Sequence, residues 1–170
     1  MKEIHETAKI YEPVTILDAP NRKITIGKNC RIGQFCFIAA RNFLMEEGVQ
    51  VSPQVTIGGG GDVTLKKFSV VSSGAKLIPA TDTPEGNYMC DSKSELERAV
   101  IRGSITVGEG AYIGANAVIC VCKEYPNIQI GDFAVIGALS YIDGNILANR
   151  IVHPRQTLYV KARKRSITPE

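Results

Sequence analysis

Aliphatic residues recur at every sixth position along most of this chain, each usually followed by Gly or another small residue, with a further small residue four places on. The first run is Ile26-Gly27, Ile32-Gly33 and Ile38-Ala39, with Cys30 and Cys36 in the small position. Val51-Ser52 and Ile57-Gly58 continue it, and Leu65, Val71 and Leu77 follow with Ser69 and Ala75. The register returns at Val107-Gly108, Ile113-Gly114 and Ile119 with Ala111 and Ala117, and again at Ile130-Gly131, Ile136-Gly137 and Ile142 with Ala134 and Ser140. A unit this short cannot hold a helix pair or a propeller blade, but it holds one short strand and one corner. Three such units close a triangular coil, and stacked coils bury the aliphatic positions against one another. An amphipathic helix would need apolar residues three and four apart, and the β-branched enrichment also favours strands. About five coils are expected.

Two stretches interrupt the period. Residues 79–104 carry Pro, Asp, Glu, Asn and Tyr in place of the repeat, and loops of such length in compact domains are commonly functional. Between Ile119 and Ile130 the sequence Tyr125-Pro126-Asn127 signals a turn that bulges outward. The ends of a solenoid need covering, because an open coil edge pairs with other chains. The expected organisation is one domain over 1–170: an N-terminal cap at 1–22, coils at 23–78, an excursion loop at 79–104, coils at 105–146, and a C-terminal cap and tail at 147–170.

Composition narrows the function classes. Aromatic residues make up only 6% of the 170 residues and Trp is absent, which suits a narrow core of repeated small layers. The net charge is +3, and basic residues cluster only in the tail at Lys161, Arg163, Lys164 and Arg165, so nucleic-acid binding by the body is not expected. No apolar run approaches the ~18 residues of a membrane span, and residues 1–20 lack the pattern of a signal peptide, so a soluble cytoplasmic protein is expected. Five cysteines, an odd number, point to reduced thiols. Cys120 and Cys122 form CxC with no second pair at zinc spacing, so no metal is expected. The glycine run Gly58–Gly61 lacks the Lys-Ser/Thr of a phosphate loop and reads as a widened corner.

Three stretches carry a family resemblance: ITIGKNCRIGQFCFIAA at 24–40, VTLKKFSVVSSGAKLIPATDTPEGNYM at 63–89, and ITVGEGAYIGANAVI at 105–119 resumed by IQIGDFAVIGALSYI at 128–142. Over roughly residues 23–165 the chain resembles the hexapeptide-repeat acyltransferases, especially sugar O-acetyltransferases of galactoside and polysaccharide type. The TDTPEGNYM segment is the more specific match. The resemblance implies an all-β, left-handed parallel β-helix, contrary to the usual right-handed crossover, assembled as a homotrimer with sites between subunits. It implies acetyl-CoA as co-substrate, its pantetheine arm running along Gly114, Ala115, Gly137, Ala138 and Ser140. The basic cluster of the tail makes Lys161 and Arg163 candidates to pair with the CoA phosphates, with an ordinary solvated terminus as the default reading.

Acetyl transfer needs a group to take a proton from the attacking hydroxyl or amine, and donors for the developing oxyanion. Galactoside-type relatives place a His in the excursion loop, whereas this chain has only His5 and His153, neither of them there. The loop offers Asp82 and Glu85 as catalytic carboxylates, and Asn87 and Tyr88 as acceptor-binding residues. A carboxylate serves as base when burial raises its pKa, but Asp also commonly caps turns, and Asn87 and Tyr88 equally suit tying the loop to the coil. His153, in the segment VHPRQ where the family commonly reads Gly-Asn-Pro-Ala, is a further candidate near the cofactor or an ordinary turn residue. The function expected is acetyl transfer to a hydroxyl or amine of a sugar, nucleotide sugar or similar small acceptor. A non-catalytic β-helix subunit is the alternative, favoured by the missing loop His and the altered VHPRQ. A carbonic anhydrase of the same architecture needs three His ligands, and the chain has two.

Overall fold

The structure, a computed structural model, describes residues 1–154. Its strands form three parallel sheets that are the faces of a triangular prism. The first face stacks Lys2–Ile4, Lys23–Ile26, Asn42–Met45, Asp62–Leu65, Ser104–Val107 and Asn127–Ile130. The second stacks Lys9–Ile10, Arg31–Ile32, Gln50–Val51, Val70–Val71, Tyr112–Ile113, Val135–Ile136 and Ile151–Val152. The third stacks Thr15–Ile16, Phe37–Ile38, Thr56–Ile57, Lys76–Ile78, Val118–Cys120 and Tyr141–Ile142. The coils are thus about six, with the start of another after them.

Registration of the aliphatic positions builds the core. On the first face Ile24, Phe43, Val63, Ile105 and Ile128 form one column. Ile32, Val51, Val71, Ile113 and Ile136 form the second, and Ile38, Ile57, Leu77, Ile119 and Ile142 the third. All are buried. The corners between columns are filled by Cys30, Val49, Ser69, Ala111 and Ala134, and by Cys36, Val55, Ala75, Ala117 and Ser140. Both early cysteines are therefore packing residues, and burial pushes their thiols above the ordinary value. At the corner between first and second faces, Phe68 and Phe133 adopt positive φ and fold their rings back over Gly48 and Gly110, where a Cβ would lie 2.5 Å and 2.6 Å from the ring.

Residues 2–16, expected as a cap, form strands of their own and close a first coil: at the same spacing of six, Ile10 and Ile16 extend the second and third columns, and Ile4 pairs with Ile26 beside the first. Among the described residues no strand stacks beneath this coil, and Ile4 is 40% exposed. Among the described residues no helix is long and apolar enough to cross a membrane.

The excursion leaves between the third and first faces. Its neck is a two-stranded antiparallel ribbon, Ala80–Thr81 against Ile101–Arg102, and its tip carries the helix Glu95–Arg98. The Ser94 hydroxyl accepts from the Glu97 amide while the Glu97 carboxylate accepts from the Ser94 amide, so both ends of the first turn are satisfied despite its length. The glycines around the neck are there for space. A Cβ on Gly59 would lie 2.2 Å from the Ala80 carbonyl oxygen, one on Gly61 2.3 Å from that of Pro79, and one on Gly103 1.6 Å from that of Pro126. The run Gly58–Gly61 is thus a corner on which the neck of the excursion rests.

Candidate active site

Asp82 stands just beyond the neck, on a wall between two clefts. The larger, of about 590 Å³, is lined by Arg22, Asp82, Asp91, Glu95, Arg98 and Arg102 among others. The smaller, of about 320 Å³, runs along the third face past Asp82, Glu85, Ile101, Cys120, Cys122 and Tyr141. Arg98 donates to the Asp82 carboxylate from Nε at 3.2 Å and from Nη2 at 2.8 Å, both to the same oxygen, Oδ1. Its remaining terminal nitrogen, Nη1, lies 2.7 Å from Asp91 Oδ1. The Asp82 hydrogen bond holds the Arg98 guanidinium above its ordinary pKa. The Asp82 and Arg98 side chains are only 18% and 16% exposed. Arg102 caps the neck by donating to the carbonyls of Gly59 and Gly60, at 3.0 and 3.1 Å, and pairs with Glu95.

The other loop candidates sit differently. Glu85 is exposed, and the nearby Thr83 side chain, with its own backbone amide, holds its carboxyl below the usual range, so it stays ionised through neutral pH. Asn87 and Tyr88 both turn their amides to the Glu97 carbonyl, tying the loop to the helix, while the Tyr88 ring lies 4.5 Å from the Lys93 ammonium. His153 is exposed on the second face, its Nδ1 beside Gly137, at a different corner from Asp82.

The residues expected along the thioester path stack at the corner between second and third faces. Gly114 and Gly137 are glycine because of the next coil: a Cβ on Gly114 would lie 2.5 Å from the Ala138 nitrogen, and one on Gly137 2.9 Å from the Val152 oxygen. Ala115 and Ala138 are the residues of this set that turn outward. Among the described residues their amides donate no hydrogen bond, and the register places Pro53, which has no amide hydrogen, at the matching point of the third coil. Ser140 instead occupies the inward small position, 3% exposed, with no hydrogen-bond partner for its hydroxyl among the described residues. Its hydroxyl faces the core, because at this point of the coil the side chain must fill the corner. Lys161 and Arg163 lie outside the described residues. No cluster of three or more His, Cys, Asp or Glu that could hold a metal occurs among the described residues.

Sequence reasoning missed Arg98. The spacing Ser94-x-x-Glu97 before it is a capping-box signature and announces a short helix ending on Arg98, but not that the loop would bring Asp82 against it. Cys120 and Tyr141 were also missed as cleft-lining residues; burial pushes both groups above their ordinary pKa values.

No protein-family model matches the chain. It is 26% identical over 144 residues, 83% of this chain and 71% of the relative, to a dTDP-4-amino-4,6-dideoxy-D-glucose acyltransferase of Escherichia coli. Its fold is that of AntD, an N-acyltransferase from Bacillus cereus solved with dTDP and 3-hydroxybutyryl-CoA: the TM-score is 0.68 at 24% identity, covering 95% of this chain and 79% of that one. A variant of the same protein with dTDP-4-amino-4,6-dideoxyglucose and coenzyme A gives a TM-score of 0.69 at 24% identity, covering 95% and 80%. The period of six, the stacked solenoid and these likenesses together give the chain the left-handed parallel β-helix of the hexapeptide-repeat acyltransferases, the sugar-modifying proteins it resembles.

Proposed function

We propose that the chain transfers an acetyl or other short acyl group from acyl-CoA to the amine of a nucleotide-linked amino sugar. Asp82 carries the reading: it is a carboxylate with one oxygen held by Arg98, standing between two clefts where an acceptor can lie. The names of the similar proteins supply the acceptor class. An amine acceptor arrives at neutral pH largely as its ammonium, which a carboxylate attracts. Asp82 Oδ2 takes one proton from the ammonium, the freed nitrogen attacks the thioester carbonyl carbon, and as the carbon–sulfur bond breaks the nitrogen gives up a second proton to the departing CoA sulfur, leaving a neutral amide and CoA thiol.

Acyl-CoA supplies the activated carbonyl, and the corner of Ala115 and Ala138 suits it. Small outward side chains leave room for the pantetheine arm, and the two unpaired amides are donors for the oxyanion. His153 beside Gly137 borders the same track, and Lys161 and Arg163 are kept as partners of the CoA phosphates. Asp82 and Glu85 leave from one corner of the prism while Ala115 and Ala138 stand at another. A homotrimer that sets one copy's excursion against another copy's corner would complete the site. The supply of acyl-CoA places the reaction in the cytoplasm.

The test is release of free CoA thiol from acetyl-CoA in the presence of dTDP-4-amino-4,6-dideoxyglucose. Turnover is expected, with Asp82→Asn lowering kcat roughly 100-fold or more. No thiol release, together with no thermal stabilisation by saturating CoA, would instead support the non-catalytic β-helix alternative.

A further inference from the structure

We propose that Arg98 is a positioning residue that aims Asp82 at the acceptor, an inference that rests on the acyltransferase reading above. Both of its contacts with Asp82 fall on Oδ1, so Oδ2 is left without a partner among the described residues, on a residue that lines both clefts. A guanidinium that met both carboxylate oxygens would consume the acceptor-binding capacity of the group. This one fixes the carboxylate's plane and leaves one oxygen free.

The mount of Arg98 is unusually well determined for a residue on an excursion. Ala99, next to it, is in the left-handed conformation and closes the helix onto the carbonyls of Glu95 and Leu96. The Thr83 hydroxyl, adjacent to Asp82, donates to the Ala99 carbonyl at 3.0 Å, and the Asn87 amide donates to the Glu97 carbonyl at 2.8 Å. Gly86 passes so close that a Cβ there would lie 2.3 Å from the Arg98 carbonyl oxygen. Asp91, its side chain 94% exposed, pairs with the third nitrogen from the solvent side. The segments before and after the helix thus hold Arg98 and Asp82 in one frame, and displacement of a reacting group by about 1 Å can cost roughly 100-fold in rate.

The experiment is a double-mutant cycle on the full chain, with kcat and KM read separately. Arg98→Ala is expected to lower kcat roughly 100-fold with KM for acetyl-CoA within twofold, and Arg98→Lys, which keeps charge but not the fork, to recover only part of it. In the Asp82→Asn background Arg98→Ala should cost less than twofold more, because Arg98 acts through Asp82. Guanidinium ion added to Arg98→Ala should restore activity. Circular dichroism checks that each variant is folded, so that the kinetic comparison uses native protein. Full activity of Arg98→Ala, or independent multiplication of the two losses, overturns the positioning role while leaving the acyltransferase reading intact. An inactive wild type overturns that reading itself.

Discussion

Of the glycines, Gly103 leaves the least room for a Cβ, and replacing it with Ala tests whether the neck of the excursion is built as described. The added Cβ would sit 1.6 Å from the Pro126 carbonyl oxygen, where ordinary contact begins at 3.4 Å. The obstacle is backbone, so no side-chain rotation relieves it. Relief requires the chain to shift where the Gly103 amide donates to Pro79 at 2.8 Å, the Asp62 amide donates to Gly103 at 2.9 Å and the Ser104 amide donates to Pro126 at 3.0 Å. Overpacking strain of about 1–3 kcal/mol, plus one or two weakened hydrogen bonds of about 1 kcal/mol each, gives a loss of roughly 3 kcal/mol. Gly58→Ala is the internal control, because its Cβ would meet nothing nearer than a Thr56 methyl at 3.9 Å. Restricting the unfolded chain there should leave stability unchanged or raise it by about 0.4–1 kcal/mol. Urea unfolding followed by circular dichroism at fixed protein concentration reads both: the midpoint of Gly103→Ala should fall by about 1–2 M and that of Gly58→Ala should not fall. Equal losses, or an unaffected Gly103→Ala, would refute the packing account.

Phe43, 1% exposed within the first column, should lose about 3–5 kcal/mol on Phe43→Ala, whereas Phe133→Ala, on a ring 58% exposed at a corner, should lose far less in the same urea assay. The Asp62 carboxyl is held below its ordinary value by the Arg41 hydrogen bonds, so its contribution is present above pH 3.8 and disappears as pH falls through the lowered value. Asp62→Asn should therefore cost up to about 1 kcal/mol at pH 7 and progressively less as the pH is taken down through the acid range, by urea midpoints along a pH series. Cys90, exposed and lowered by its contact with Ser92, should react with a thiol reagent at pH 7.5 well before Cys120, which burial raises; mass mapping of a timed reaction decides the order.

The period of six was legible because each position has one mechanical job: Ile38, Ile57, Leu77, Ile119 and Ile142 fall into a single column as their spacing requires. The first coil carries the same spacing in Ile4, Ile10 and Ile16, but His5, Tyr11 and Leu17 follow them in place of small residues, which hid it. The site was only half legible. Asp82 could be singled out as an acid in a non-repeating loop, yet its pairing with Arg98 depends on how the intervening residues turn back, which no spacing rule specifies. Ser140, which the resemblance puts on the thioester path and the period puts in the small position, fills a corner that alanine fills one coil earlier.

The excursion leaves the ladder undisturbed: Val63 pairs with Ile105 and Leu65 with Val107 as though nothing intervened, and the neck rejoins at Ser104. Since each coil touches only its neighbours, this insertion behaves as an interchangeable part. Its length and chemistry can change over evolutionary time with no repacking of the prism, while the alanine corner stays constant. A lineage of such proteins could diversify what it modifies by trading this one segment.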